Sequence, residues 1–246
     1  MNEKQDNKEQ LNIRYRFKFG DGREKVFHAA LDAKTLELIR EKKESYPEWT
    51  SLNCSKCENC PLDEKISPRC PVAVNMTDII EFFRNSASHD KVDVFIETDS
   101  RSYANATTIE EGVSSLIGIY MVTSGCPIME KLKPMVKNHL PFATLEETRY
   151  RAVSMYLLAQ YVVYKKGGKP DWDLKELLNI YNQVRIANRS FARRLSNAVE
   201  NDANANALVK LDSFALNVSF VIDQDMMSEM EQLFEVYTRD LQPDRP

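Results

Sequence analysis

The sequence predicts an α+β fold, a small antiparallel sheet with a cysteine-rich metal loop packed against a C-terminal helical bundle. Three observations point there. Residues 12–31 alternate apolar and polar side chains with period two, four of the five cysteines fall within residues 54–70, and from residue 108 onward the signals are helical and well punctuated.

The alternation sets Ile13, Tyr15, Phe17 and Phe19 against Asn12, Arg14, Arg16 and Lys18, the pattern of a strand with one buried face. A three-residue Gly20-Asp21-Gly22 loop, with Gly22 at positive φ, brings Phe27, Ala29 and Leu31 onto that same face. A two-residue Asp-Gly loop would place His28 there instead and bury less apolar area. A short helix is expected over about 33–44, then the cysteine loop, a helix over Met76–Arg84, and two strands in KVDVFIET and RSYANATT.

Thr108 with Glu111 and Thr144 with Glu147 are both T-x-x-E capping boxes. Gly125 and the Gly167-Gly168 pair stand where helices should stop, and Pro127 suits a first helical position. Helices are expected over 109–124, 127–138, 145–165, 173–200, 204–221 and 224–240, the last capped by Asp223. The organisation is then a solvated tail over 1–11, an α+β part over 12–107 with its cysteine loop at 51–73, and a bundle over 108–241. Absence of repeats and of a low-complexity linker predicts that the last two pack as one unit.

At 246 residues, 43% apolar and 28% charged, the chain is long enough for a normal core. A net charge of −4, with bases scattered among acids, argues against nucleic acid and anionic membrane as partners. The start, MNEKQDNKEQ, has neither a signal-peptide apolar run nor an Arg-rich amphipathic pattern, so a cytoplasmic protein is expected. Two uncharged stretches, GVSSLIGIYMVTSGCPIM and AVSMYLLAQYVVY, are respectively broken and too short for a bilayer crossing, and read as buried helices.

A cytoplasmic, reducing setting disfavours disulfides, so the cysteines of CSKCENCPLDEKISPRCP need another explanation. Two cysteines separated by two residues can turn both sulfurs toward one metal. Cys54, Cys57 and Cys60 repeat that spacing twice, and Cys70 follows after nine intervening residues. The run and the prolines after Cys60 and Cys70 partly match the ferredoxin pattern, whose last gap is much shorter. A closed four-cysteine zinc site accommodates the longer gap. The charged residues between the ligands, Lys56, Glu58, Asp63, Glu64, Lys65 and Arg69, favour zinc, because an iron–sulfur cluster wants apolar shielding. Four unligated thiols are the bland alternative.

Cys126 lies between Gly125 and Pro127, at the expected N-cap of the next helix, where unpaired N–H groups favour the thiolate. It can be a half-buried junction residue, a metal ligand replacing one loop cysteine, or a nucleophile. A nucleophile needs a histidine within hydrogen-bond reach. His28 and His89 read as solvated. His139 follows the helix that Cys126 opens, but a twelve-residue helix spans about 18 Å, which separates the two. No catalytic residue is assigned.

Glu110, Glu111, Glu146 and Glu147 read as helix N-terminal charge rather than a di-metal site, since no helix carries Glu-x-x-His. Arg185, Arg189, Arg193 and Arg194 read as a solvated helix face that could otherwise meet an acidic partner or phosphate. No phosphate loop, nucleophile elbow or dinucleotide fingerprint is present.

Five motifs together carry a resemblance that spans most of the chain: Y-x-F-x-F-x-D-G at Tyr15–Gly22, C-x-x-C-P-L at Cys57–Leu62, C-P-V-A at Cys70–Ala73, S-G-C-P at Ser124–Pro127, and H-L-P-F-A-T-x-E-E-T at His139–Thr148. In these the chain resembles a family of uncharacterised bacterial proteins of unknown function. The resemblance implies no activity. It matches Cys57, Cys60, Cys70 and Cys126 to the family's motifs and leaves Cys54 unmatched, so the ligand set is either the loop alone or three loop cysteines plus Cys126.

The sequence thus predicts a metal-binding protein with a four-cysteine structural zinc site and a helical interaction or regulatory module. Its partner would be another protein or a second copy. The alternatives are a [4Fe–4S] redox or sensor protein using the same cysteines, and an enzyme built on Cys126.

Overall fold

The computed structural model describes residues 9–41, 43–196, 206, 209, 211, 212, 215, 216 and 225–239. Strands β1 (Gln10–Phe19), β2 (Glu24–Asp32), β3 (Lys91–Thr98) and β4 (Ser102–Thr108) form one antiparallel sheet in the order β2-β1-β3-β4. The hairpin adopts the expected three-residue loop: Lys18 pairs with Glu24, Phe19 and Arg23 close the ladder, and Gly22 has φ +88°. That register buries Ile13, Tyr15, Phe17, Phe27, Ala29 and Leu31 on one face and leaves His28 outside, bonded to Asn12. Val92, Val94 and Ile96 of β3 complete the apolar face.

Helices α1 (Pro71–Phe83) and α2 (Ile109–Val122) cover that face. Gly112 makes the approach of α2 possible, because a Cβ there would stand 2.8 Å from Val94 Cγ2 and 2.9 Å from Phe17 Cε1. At the start of α2 the Thr108 hydroxyl accepts from the Glu111 N–H, but the Glu111 carboxylate turns to the Thr107 hydroxyl. Main-chain oxygens of Asp90 and Ser88 take the N–H groups of Ile109 and Glu110 instead. The box at Thr144 and Glu147 is complete, and it opens α3 (Leu145–Lys165). Helices α4 (Lys175–Ser196) and α5 (Asp225–Thr238) follow. The core runs without a break from the sheet to Phe191 and Leu195 of α4.

Several expectations are corrected. The described residues of 33–44 form a turn and not a helix: the Asp32 carboxylate accepts the N–H groups of Lys34 and Thr35, Leu36 takes φ +56°, and Leu38 bridges back to Leu31. Asp bonding to its own downstream backbone competes with helix in this way. Strand β1 begins at Gln10, inside the segment expected to be tail. Helix α1 begins at Pro71, inside the expected loop, with Cys70 as its N-cap. The segment expected as an α-helix over 127–138 is a 3-10 helix, Met129–Asn138, with Pro134 inside it. Proline there removes an i→i−4 donor.

The largest correction concerns AVSMYLLAQYVVY. Only Ala152 and Tyr156 of α3 are buried, while Leu158, Tyr161 and Tyr164 are 65%, 51% and 58% exposed. No described helix is long and apolar enough to cross a membrane. The expected helix over 204–221 lies mostly outside the described residues. Asn206, Val209, Leu211, Asp212, Ala215 and Leu216 within it are helical. Residues 1–8, 197–200, 240, 241 and the proposed cap Asp223 also lie outside.

Candidate metal centre

The cysteine loop folds by returning on itself. Thr50 O accepts the Cys70 N–H at 2.8 Å, Pro68 O accepts the Leu52 N–H at 2.9 Å, and Ser51 bridges Arg69. Cys57 O accepts the Cys60 N–H at 3.0 Å, which tightens the Cys-x-x-Cys turn so that both thiols leave on one side. Asn59 then ties the turn to α4 through Gln183 O and Oε1, at 2.9 and 2.8 Å.

Four cysteines meet there. Cys57, Cys60, Cys70 and Cys126 line one enclosed void of about 20 Å³, whose remaining wall is apolar and includes Leu62, Val72, Met121, Ile128, Met129 and Phe191. Cys70 reaches it from the N-terminus of α1, and Cys126 from the stretch before the 3-10 segment, 56 positions further along the chain. Cys54 is half-buried on the turn that starts at Ser51 and does not line the void. None of the charged loop residues that suggested a wet site lines the void. Among the described residues, no group of three or more His, Cys, Asp or Glu side chains is drawn together closely enough to hold a metal ion. The four sulfurs surround a space and do not meet at a point.

Burial governs the electrostatics. It pushes the Cys57 thiol up to about 11, and Cys70, Cys126 and Cys60 add to the rise while the Arg194 charge opposes it. Burial also raises Cys70, against hydrogen bonds from the Ala73 and Val72 N–H groups and the Arg194 charge. It raises Cys126 likewise, against the N–H groups of Met129 and Ile128. Four backbone donors thus point at the Cys70 and Cys126 sulfurs and the nearby Arg194 charge favours the thiolates of Cys57 and Cys70, while burial holds all three thiols toward the protonated form.

Arg194 was expected on a solvated face. It is 1% exposed and donates to four loop carbonyls: Nη1 to Trp49 and Ser51 at 2.8 and 2.5 Å, Nη2 to Leu52 and Ser55 at 3.2 and 3.5 Å. The signal was in the sequence, since Val184, Ala187, Phe191, Arg194 and Leu195 share one helical stripe, and all five are buried. Arg185 and Arg189 behave differently and pair with Asp212.

His139 stands apart from Cys126. Its Nε2 meets the Tyr15 hydroxyl at 2.5 Å, and that hydroxyl also bonds Ser115 at 2.8 Å. Burial depresses the imidazole to about 3, so it is neutral at ordinary pH. With the Cys126 thiol raised and the histidine committed elsewhere, no cysteine–histidine dyad forms.

Comparison with known proteins leaves the chemistry to these residues. No curated protein and no solved structure matches the chain. Its family is nevertheless clear: the chain belongs to the family described as a domain of unknown function, DUF6901, whose model matches residues 13–235.

Proposed function

We propose that Cys57, Cys60, Cys70 and Cys126 are the thiolate ligands of an iron–sulfur cluster of the [4Fe–4S] type, and that the protein transfers electrons or senses redox state through it. The observation that carries this reading is the apolar enclosure shared by four thiols. Thiolates in such a place are unstable unless a metal centre supplies the compensating positive charge. Apolar walls and N–H groups at the sulfurs are also the levers that set a cluster's potential. The N–H groups of Val72, Ala73, Ile128 and Met129 provide those hydrogen bonds, and Arg194 offsets negative charge at Cys57 and Cys70. Each thiolate in a cluster holds its own iron, which suits four sulfurs arranged around a space. The reducing cytoplasm keeps such ligands available. The exposed apolar side chains of α3 then serve as the surface where a protein partner or a second copy docks.

A second reading is the structural zinc site. It rests on the size of the void, about 20 Å³, which matches a single ion better than a larger group. Zinc–sulfur bonds of about 2.3 Å would draw the four thiols inward. The two readings separate on protein purified without oxygen. A brown preparation with iron and acid-labile sulfide supports the cluster, and a colourless one with one zinc per chain supports the second reading. Cys57→Ser and Cys126→Ser should each lower metal content, and Cys54→Ser should not. Absence of both metals from anaerobic preparations, with all five thiols freely titrating, overturns both.

A further inference from the structure

A second, larger cavity adjoins the thiol void. It is about 190 Å³ and opens between α2, the 3-10 segment, the start of α3 and α4, and Met121 and Met129 stand in the wall common to both spaces. An apolar cavity of about 150 Å³ is already large enough to take up benzene. A space of this size inside a close-packed fold is therefore room for a small organic molecule rather than a packing defect.

Among the polar groups at its surface, four bear on the chemistry of an occupant. Arg151 is half-buried, and its Nη2 donates to Met135 O and Asn138 O, at 3.1 and 2.8 Å. Among the described residues no carboxylate forms an ion pair with it, Glu147 acting on it only from farther away, and its side chain lines the cavity. Asn188 is 2% exposed and lines the cavity, and its Oδ1 has no hydrogen-bond partner among the described residues. A buried acceptor left unpaired costs free energy that a ligand donor would recover. Glu111 stands in the wall as well, with its Oε2 accepting from the Thr107 hydroxyl. His139 is in the wall, held by Tyr15 and neutral, so the cationic group is Arg151.

We propose that this cavity binds a small carboxylic acid with an apolar, aromatic-sized body and one hydroxyl donor, its carboxylate at Arg151 and its hydroxyl at Asn188. Arg recognises a carboxylate with a fixed fork of donors, and a site built around an unpaired acceptor discriminates strongly in favour of a hydroxyl. The inference is independent of which metal the thiols hold. It also places the ligand one methionine layer from the thiol void, so an occupant can be sensed there.

The test is calorimetric titration of the protein as purified, with its metal content unaltered, using 4-hydroxybenzoate, benzoate and phenol as probes. Saturable one-to-one binding is expected, with 4-hydroxybenzoate tightest. Arg151→Met should weaken both acids at least tenfold and leave phenol unchanged. Asn188→Leu should remove the preference for 4-hydroxybenzoate over benzoate, and its circular dichroism and melting curve verify the fold. A folded protein that binds none of the probes overturns the proposal, as does one that binds phenol as tightly as the acids or binds equally well after Arg151→Met. Metal content is measured on the same samples, so loss of the metal centre and failure of ligand binding are read separately.

Discussion

Arg194, near the end of α4, donates through Nη1 to the carbonyl oxygen of Trp49 at 2.8 Å, joining positions 145 residues apart in the chain. With its bonds to Ser51, Leu52 and Ser55 it gathers a run of carbonyls in a loop poor in apolar residues onto one side chain. Arg194→Leu strands the Trp49 and Leu52 oxygens, while Ser51 O keeps the Cys54 N–H, and should cost about 4 kcal/mol, since each buried polar group stranded costs roughly 1–3 kcal/mol. Urea unfolding measures it. Arg194→Lys, which keeps the charge but loses the fork, should fall between wild type and Leu. A Leu variant of unchanged stability would show that the loop does not depend on these bonds.

The hairpin, β3, β4 and α3 were legible because each is a local pattern: period-two alternation, a Gly at the one position needing positive φ, or a capping box. The turn at 33–41 was not, because its helix-like composition yields to Asp32, whose carboxylate captures the backbone first. For α3 the boundaries were legible and the burial was not, since apolar content alone does not say which face a neighbour covers. At the site, the four thiols could be counted, but neither the choice of Cys126 over Cys54 nor the dry interior follows from spacing. Both depend on α4 and the 3-10 segment folding over the loop.

Metal-free protein should lose stability in alkali. Cys57 titrates near 9 in the unfolded chain and at about 11 in the fold, mainly through burial. A folded value above the unfolded one means that the contribution is intact below pH 9 and is lost as pH rises from 9 to 11. Cys70 and Cys126 shift in the same direction and steepen the loss. Denaturation midpoints at pH 8 and 10 on chelated, reduced protein check this, and metal-loaded protein should show a much smaller decline. In the chelated sample, iodoacetamide should label Cys54 before Cys57.

Acid acts through a different residue. His139 has a folded value of about 3 against 6.5 unfolded, so the unfolded chain takes up the proton first as pH falls. Stability supplied by the neutral ring is complete above 6.5 and declines toward 3. Between pH 7 and pH 5 the loss should be about 2 kcal/mol, at 1.36 kcal/mol per pKa unit. His139→Gln, which can still bond the Tyr15 hydroxyl, should be less stable at pH 7 but shallower in its pH dependence. Parallel curves for the two proteins would place the acid sensitivity elsewhere.

The contact of α2 with the sheet gives a prediction whose sign two effects contest. Gly112→Ala improves helix propensity by about 1 kcal/mol. Its new Cβ, however, would lie within 3 Å of Val94 Cγ2 and Phe17 Cε1, both on fully buried side chains of the sheet. Overpacking of this kind typically costs about 1–3 kcal/mol before the propensity gain is subtracted, so a net loss of about 1 kcal/mol is expected. Because α2 also carries Met121 into the wall of the thiol void, the shift should reach the site and lower metal retention under competing chelator. Phe17→Leu in the same background removes the obstructing ring edge. The double variant should therefore recover part of what the two single losses would sum to, and additive losses would show that the helix yields somewhere other than at this contact.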